Sequence, residues 1–266
     1  MIPGENRLKL KHVRRNFSWH ADEYERYALV QKVVVPQLLR HLSPGAVWQR
    51  VLEVGCGTGM LSRKFMKDHP DTKLILSDLA HDMSRRVACE FPFLPVVDAD
   101  AENLPFRDTS FDLVLSSSVY QWVNHLMQAF AELGRILSPG GKVAMALFGE
   151  RTLHELRHSH ATALSAGKSH SQGFPTISQV RGAVGDHFTV EYLESQLEVE
   201  WHPGVPHLLR SLKAIGAQNA SRDRPSGLTS RRMMQRMYDC YSEKFGREGT
   251  IPATYEVIYL VLKKCG

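Results

Sequence analysis

The spacing of apolar and polar positions changes rhythm twice along the chain. From about residue 17 to 42, Ala28, Leu29, Lys32, Val33, Pro36, Leu39 and Leu42 recur at helical spacing. Pro36 is expected to bend or divide that helix, because proline lacks the backbone N–H and crowds the preceding turn. Ser43-Pro44-Gly45 then interrupts the chain. From residue 50, short apolar runs at 51–54, 73–77, 94–98, 111–116 and 142–147 alternate with amphipathic stretches. The runs lack strict polar alternation, as expected of strands covered on both faces. Strands alternating with helices predict an α/β fold with a parallel sheet and right-handed crossovers.

Beyond Phe148 the alternation stops. Residues 152–166 and 176–184 read as helices, and 188–201 alternate like a strand. Two further helices are expected within 206–246, around the polar loop 218–227, and 255–262 closes the chain as a strand. The expected organisation is a tail and lid helix over residues 1–49, then one α/β domain over 50–266 with a helical cap inserted around 203–249. Residues 166–176, rich in Ser, His and Gly, give no readable pattern, and no internal repeat is present.

Local chemistry is sharpest where the first run meets a turn. Val51-Leu-Glu-Val-Gly-Cys-Gly-Thr-Gly59 is a strand running into Gly55, Gly57 and Gly59 and then a helix at 60–67. Glycines there let the backbone adopt positive φ and approach a ligand closely. Asp78 follows at the end of the next run, where a carboxylate can accept hydrogen bonds from both ribose hydroxyls. The spacing is G-x-G-x-G, not the G-x-G-x-x-G that cradles a pyrophosphate, and Glu53 stands just before the loop. A carboxylate there repels a pyrophosphate but suits a ligand carrying ammonium and sulfonium charges. The pattern therefore favours S-adenosylmethionine over NAD or FAD.

Composition narrows the class without changing this reading. The chain has 266 residues, 43% hydrophobic and 23% charged, ordinary for a globular protein. Net charge is +5, with one cluster at Arg7, Lys9, Lys11, Arg14 and Arg15 and another at Arg222, Arg224, Arg231, Arg232 and Arg236. Such clusters either attract an acidic partner or form solvated faces. No nucleic-acid recognition motif accompanies them, and no apolar run is long enough to cross a bilayer. The basic N-terminus lacks the apolar core of a secretory signal, so a cytoplasmic location is expected. Cys56, Cys89, Cys240 and Cys265 form no CxxC pair and suggest neither disulfide nor zinc. His154-Glu-Leu-Arg-His158 matches the H-E-x-x-H zinc motif, but it directly follows the fifth strand of an α/β pattern and reads as a cap helix. No metal is expected.

Taken in order, VLEVGCGTG, LSDLAHDM, DADAENLPF, FDLVLSSSVYQW and LGRILSPGGKVAMALF resemble the successive motifs of class I S-adenosylmethionine-dependent methyltransferases over residues 50–148. The resemblance implies a Rossmann-like, seven-stranded methyltransferase sheet with an N-terminal helix and an inserted helical cap. It places Gly55, Gly57 and Gly59 at the methionine part of the cofactor and Asp78 at the ribose. Leu79 and Met83 would flank adenine, although both also fit plain core positions. Asp100 and Ala101 would meet the adenine edge, and Ser116 would border the methionine moiety.

The flanks resemble one subfamily. Asn16-Phe-Ser with Ala21, Tyr24, Ala28 and Gln31, the pair Gln121-Trp122, and Phe148-Gly-Glu-Arg-Thr-Leu-His-Glu-Leu-Arg157 are similar to the bacterial malonyl-acyl-carrier-protein O-methyltransferases of biotin synthesis. So are Ser211-Leu-Lys-Ala-Ile-Gly-Ala217, Gly227-Leu-Thr229 and Pro252-Ala-Thr-Tyr-Glu-Val-Ile-Tyr259. The basic extension before Phe17 has no assigned counterpart. This resemblance implies methyl esterification of the free carboxylate of malonyl on an acidic acyl carrier protein. The acceptor candidates are Tyr24, Gln121, Trp122 and Lys213, with Arg157 and Arg231, Arg232 and Arg236 as weaker candidates for carrier contact. A carboxylate is already ionised at neutral pH, so no general base and no catalytic triad is expected. The alternatives are methylation of another small carboxylic acid, methylation of a quinone-ring carbon, or a non-catalytic cofactor-binding protein.

Overall fold

The computed structural model describes residues 8, 10–18, 24–164, 173–217 and 230–266. Its seven-stranded sheet runs β3 (Val96–Asp98), β2 (Lys73–Asp78), β1 (Arg50–Val54), β4 (Phe111–Ser117), β5 (Leu137–Phe148), β7 (Ile251–Lys264) and β6 (Phe188–His202). Neighbours from β3 to β5 pair in parallel, whereas β7 is antiparallel to both β5 and β6. The parallel expectation thus holds for five strands and fails at β7. Strands β6 and β7 are consecutive antiparallel neighbours, and the connection between them, residues 203–250, carries the two helices of the cap.

The continuous apolar runs reflect burial on both faces. Val51, Leu52, Leu113, Val114, Leu115 and Ala144 are fully buried. One face is covered by α3 (Leu29–Arg40), α4 (Met60–Asp68) and the cap, the other by α6 (Leu126–Ile136) and α8 (Ile177–Val184). α5 (His81–Glu90) packs against β2 and β3 at the sheet's end. Strand order reverses between β1 and β4, and the crevice beyond the carboxyl ends of such strands is where α/β sheets bind ligands.

The helix expected over 17–42 is not one helix. The described parts are α1 (Leu10–Ser18), the single turn α2 (Tyr24–Tyr27) and α3. Pro36 lies inside α3 and does not end it. Burial of Val30, Val34, Val35 and Leu38 against the sheet outweighs the local cost of the proline. Past β5 come α7 (His154–Ala163) and α8, and the cap contributes α9 (Val205–Ala214) and α10 (Arg231–Phe245). The expected loop 218–227 and most of 166–176 lie outside the described residues. Among the described residues, no helix is long and apolar enough to cross a membrane.

Candidate active site

The glycine turn is built by backbone need. Gly55, Gly57 and Gly59 have φ of 73°, 52° and 83°, where a side chain is strained. A Cβ on Gly55 would lie 2.1 Å from Val119 Cγ2, and one on Gly59 would lie 2.7 Å from Phe91 Cε2. Gly57 has open space, and its N–H donates to Asp78 Oδ2 at 2.9 Å. Asp78 Oδ1 accepts the N–H of Ala80 at 2.8 Å. Burial raises the Asp78 carboxyl to about 6, against the lowering effect of those backbone bonds.

A cavity opens above this turn. Its walls include Gly55, Gly57, Asp78, Leu79, Met83, Asp100 and Ala101, together with Ser117, Ser118 and Val119 after β4. Asp100 Oδ1 caps its own turn by accepting the N–H of Glu102 at 3.0 Å. From above, Leu10, Val13 and Phe17 of α1 and Tyr24 of α2 close the space. Ser117 Oγ is buried there and, among the described residues, has no hydrogen-bond partner. A polar ligand would satisfy it.

Three proposed cofactor residues stand behind this wall. Glu53 is buried on β1, where its Oε2 accepts from Ser62 Oγ of α4. Burial raises its carboxyl to about 8. Its charge therefore does not face the cavity, and the repulsion argued from the sequence does not act directly. Gly59 is required by the close approach of α5, through Phe91 and Val87. Ser116 points away, its Oγ donating to Val54 O at 2.8 Å. Strand alternation sends the next side chain, Ser117, the other way.

A second cavity adjoins the first. Apolar walls come from Phe148, Leu156, Phe174, Leu212, Ile215 and Tyr255, and polar ones from Gln31, Gln121, Thr152 and Arg157. Phe17, Tyr24, Ser118 and Trp122 line both cavities and so mark their junction. Phe17 meets Trp122 edge-on with ring centroids 5.3 Å apart. Gln121, in the short 3₁₀ turn Tyr120–Trp122, accepts the Phe148 N–H at 3.4 Å, which joins the ends of β4 and β5. Burial beside Asp78 pushes the Tyr24 phenol well above its ordinary range, so it remains a hydrogen-bond donor.

Tyr24, Gln121 and Trp122 are thus brought together, and Lys213 is not. Lys213 is exposed on α9, whose opposite side carries Leu208 and Leu212 inward. Arg231, Arg232 and Arg236 are exposed on α10, while Arg157 lines the second cavity. Sequence reasoning missed Phe17 as a wall of both cavities, and Leu10, Val13, Ser117, Ser118 and Val119. In the H-E-x-x-H segment, Glu155 bonds Thr254 and the His158 ring contacts Lys244 Nζ at 2.9 Å. No metal-ligating cluster of three or more side chains occurs among the described residues.

The glycine turn, the carboxylate that braces it and the paired cavities are those of a class I S-adenosylmethionine-dependent methyltransferase. Residues 52–145 match the family described as Methyltransferase domain. The malonyl-[acyl-carrier protein] O-methyltransferase of Geobacter sulfurreducens is 42% identical over 95% of this chain and 98% of its own length. The chain belongs to the malonyl-[acyl-carrier protein] O-methyltransferase family. The biotin biosynthesis bifunctional protein BioHC of Teredinibacter turnerae is 32% identical over 96% of this chain, which spans 47% of that longer protein. The fold matches geranyl diphosphate C-methyltransferase from Streptomyces coelicolor, solved with S-adenosyl-L-homocysteine, with a TM-score of 0.53 at 11% identity, covering 87% of this chain and 78% of that one.

Proposed function

We propose that this methyltransferase esterifies the free carboxylate of malonyl carried on an acyl carrier protein, giving the methyl ester that primes biotin-precursor synthesis. The observation that carries the reading is the shared wall of Phe17, Tyr24, Ser118 and Trp122 between the cofactor cavity and the acceptor cavity. The names of the relatives supply the acceptor. A carrier-borne thioester substrate keeps the expected cytoplasmic setting, and exposed Lys11, Arg14, Arg15 and Lys213 suit an acidic carrier.

Bound S-adenosylmethionine supplies an electrophilic methyl group whose leaving group is a neutral thioether. Gly55 and Gly57 give its methionine part close approach, Asp78 accepts from its ribose, and Asp100, Ala101, Leu79 and Met83 enclose its adenine. Ser117 Oγ offers a further polar contact. On the acceptor side, Tyr24 donates to a carboxylate oxygen, while Phe17 and Trp122 exclude water from the junction. Among the described residues, the acceptor walls carry no carboxylate or imidazole. That suits a nucleophile already ionised and disfavours ring-carbon methylation, which needs a base. Rate enhancement then comes from orientation and exclusion of water.

Tyr24→Phe tests this arrangement. With malonyl-carrier as acceptor, kcat should fall by roughly tenfold or more, the scale of one lost hydrogen bond to a charged group. Calorimetric affinity for S-adenosylmethionine should hold. An unchanged kcat would remove Tyr24 from the reaction centre.

A further inference from the structure

Among its described walls, the acceptor cavity contains a single cation. Arg157 of α7 is half-buried, with Nη1 donating to the carbonyl of Thr152 and Nη2 to that of Glu150. Both partners are uncharged, and these bonds use two of the five N–H donors of a guanidinium. Glu155 and Glu150 act on the guanidinium through space, but the Glu155 carboxylate is committed to Thr254 and, among the described residues, neither forms an ion pair with Arg157.

Two other half-buried arginines are treated differently. Arg63 is paired with Glu25 and Glu90, and Arg135 with Glu132 and Asp108. Burial lowers the pKa of Arg157 but is outweighed at those two paired arginines. A cation drawn out of water without a carboxylate in contact is costly unless an anion meets it.

Thr152, which holds the guanidinium, also lines the cavity, and the segment connecting it to the junction starts at Phe148, whose N–H reaches Gln121. The arginine is therefore fixed by the same turn that shapes the reaction centre.

We propose that Arg157 reads the charge of the acceptor: it binds the terminal carboxylate of the carrier-borne acyl group and makes the cavity select acids over acyl groups ending in methyl. This rests on the carboxyl-methylation reading above. It also accounts for product release, because esterification removes the negative charge that Arg157 holds.

The test uses the full chain loaded with S-adenosylhomocysteine and titrated with malonyl-pantetheine or acetyl-pantetheine. The wild type should bind the malonyl thioester at least tenfold more tightly. Arg157→Gln should lower malonyl affinity by about tenfold or more, leave acetyl affinity unchanged, and leave S-adenosylhomocysteine affinity unchanged. Arg157→Lys should recover part of the discrimination. Equal loss of both thioesters would mean that Arg157 only supports the 150–152 turn, and absent discrimination in the wild type would equally overturn the proposal. Failure of the broader reading looks different: the wild type would then not methylate malonyl-carrier at all.

Discussion

Asp78 Oδ2 accepts the backbone N–H of Gly57 at 2.9 Å, so the end of β2 holds the glycine turn that ends β1. The carboxylate expected to bind ribose is therefore also the brace of the turn beside it. Replacing Asp78 by Ala removes this bond and the one from Ala80. Affinity for S-adenosylmethionine should drop by roughly ten- to a hundredfold, from one or two charge-assisted hydrogen bonds of about 1.5–3 kcal/mol. Unchanged calorimetric affinity would contradict the assignment.

The pH dependence of that site has a definite sign. Burial raises Asp78 from 3.8 to about 6, so between those values the cofactor-free fold holds a proton that the unfolded chain has released. Its contribution to stability is full below 3.8 and is lost as pH rises through 6. Cofactor binding runs the other way, since the ionised carboxylate is the better acceptor. Affinity should be flat above neutral pH and weaken as pH falls below about 6. In Asp78→Asn that pH dependence should vanish; its persistence would point to another group.

Glu53 separates burial from cofactor contact. Its carboxyl, raised from 4.5 to about 8, binds a proton in the fold over a range where the unfolded chain does not. Its contribution to stability is thus present below 4.5 and lost as pH rises through 8. Glu53→Gln keeps the shape without titrating. The melting temperature of the wild type, measured against this variant, should decline from pH 5 to 8. Cofactor affinity of the variant should stay within a few-fold at neutral pH, and a large loss would return Glu53 to the binding site.

Ser116 and Ser117 are adjacent yet opposite in role. Ser116→Ala should destabilise by about 1–3 kcal/mol, because the buried Val54 carbonyl loses its donor, while cofactor affinity holds. Ser117→Ala should weaken cofactor binding several-fold at nearly unchanged melting temperature. The reverse pattern would show that the cofactor contacts β4 one residue earlier.

These residues also show what is legible in sequence. The β1–glycine–α4 turn and Asp78 are local patterns, with spacing fixed by strand, turn and helix geometry. Ser116 lies behind the cavity wall and Ser117 in it because a shift of one residue along a strand moves a side chain to the opposite face, which local pattern does not fix. Phe17 could not be singled out, because its role arises from α1 folding across a cavity built by residues far away in sequence. Lys213 faces solvent and Arg157 lines the second cavity for a related reason. The side of a cap helix that faces the cavity is decided by packing, through Leu208 and Leu212 for α9 and Glu155 and Ser159 for α7. Pro36 does not divide α3, since burial of that helix overrides a local helix breaker.

The central claim is that a methyl group passes to a carrier-borne carboxylate. Malonyl-acyl carrier protein should be incubated with this protein and S-adenosylmethionine bearing a deuterated methyl group, then analysed by mass spectrometry. The account predicts a gain of one labelled methyl, lost again on treatment with a carboxyl esterase, and no gain on acetyl-acyl carrier protein. An unmodified malonyl carrier, with cofactor binding demonstrated in the same preparation, would contradict it.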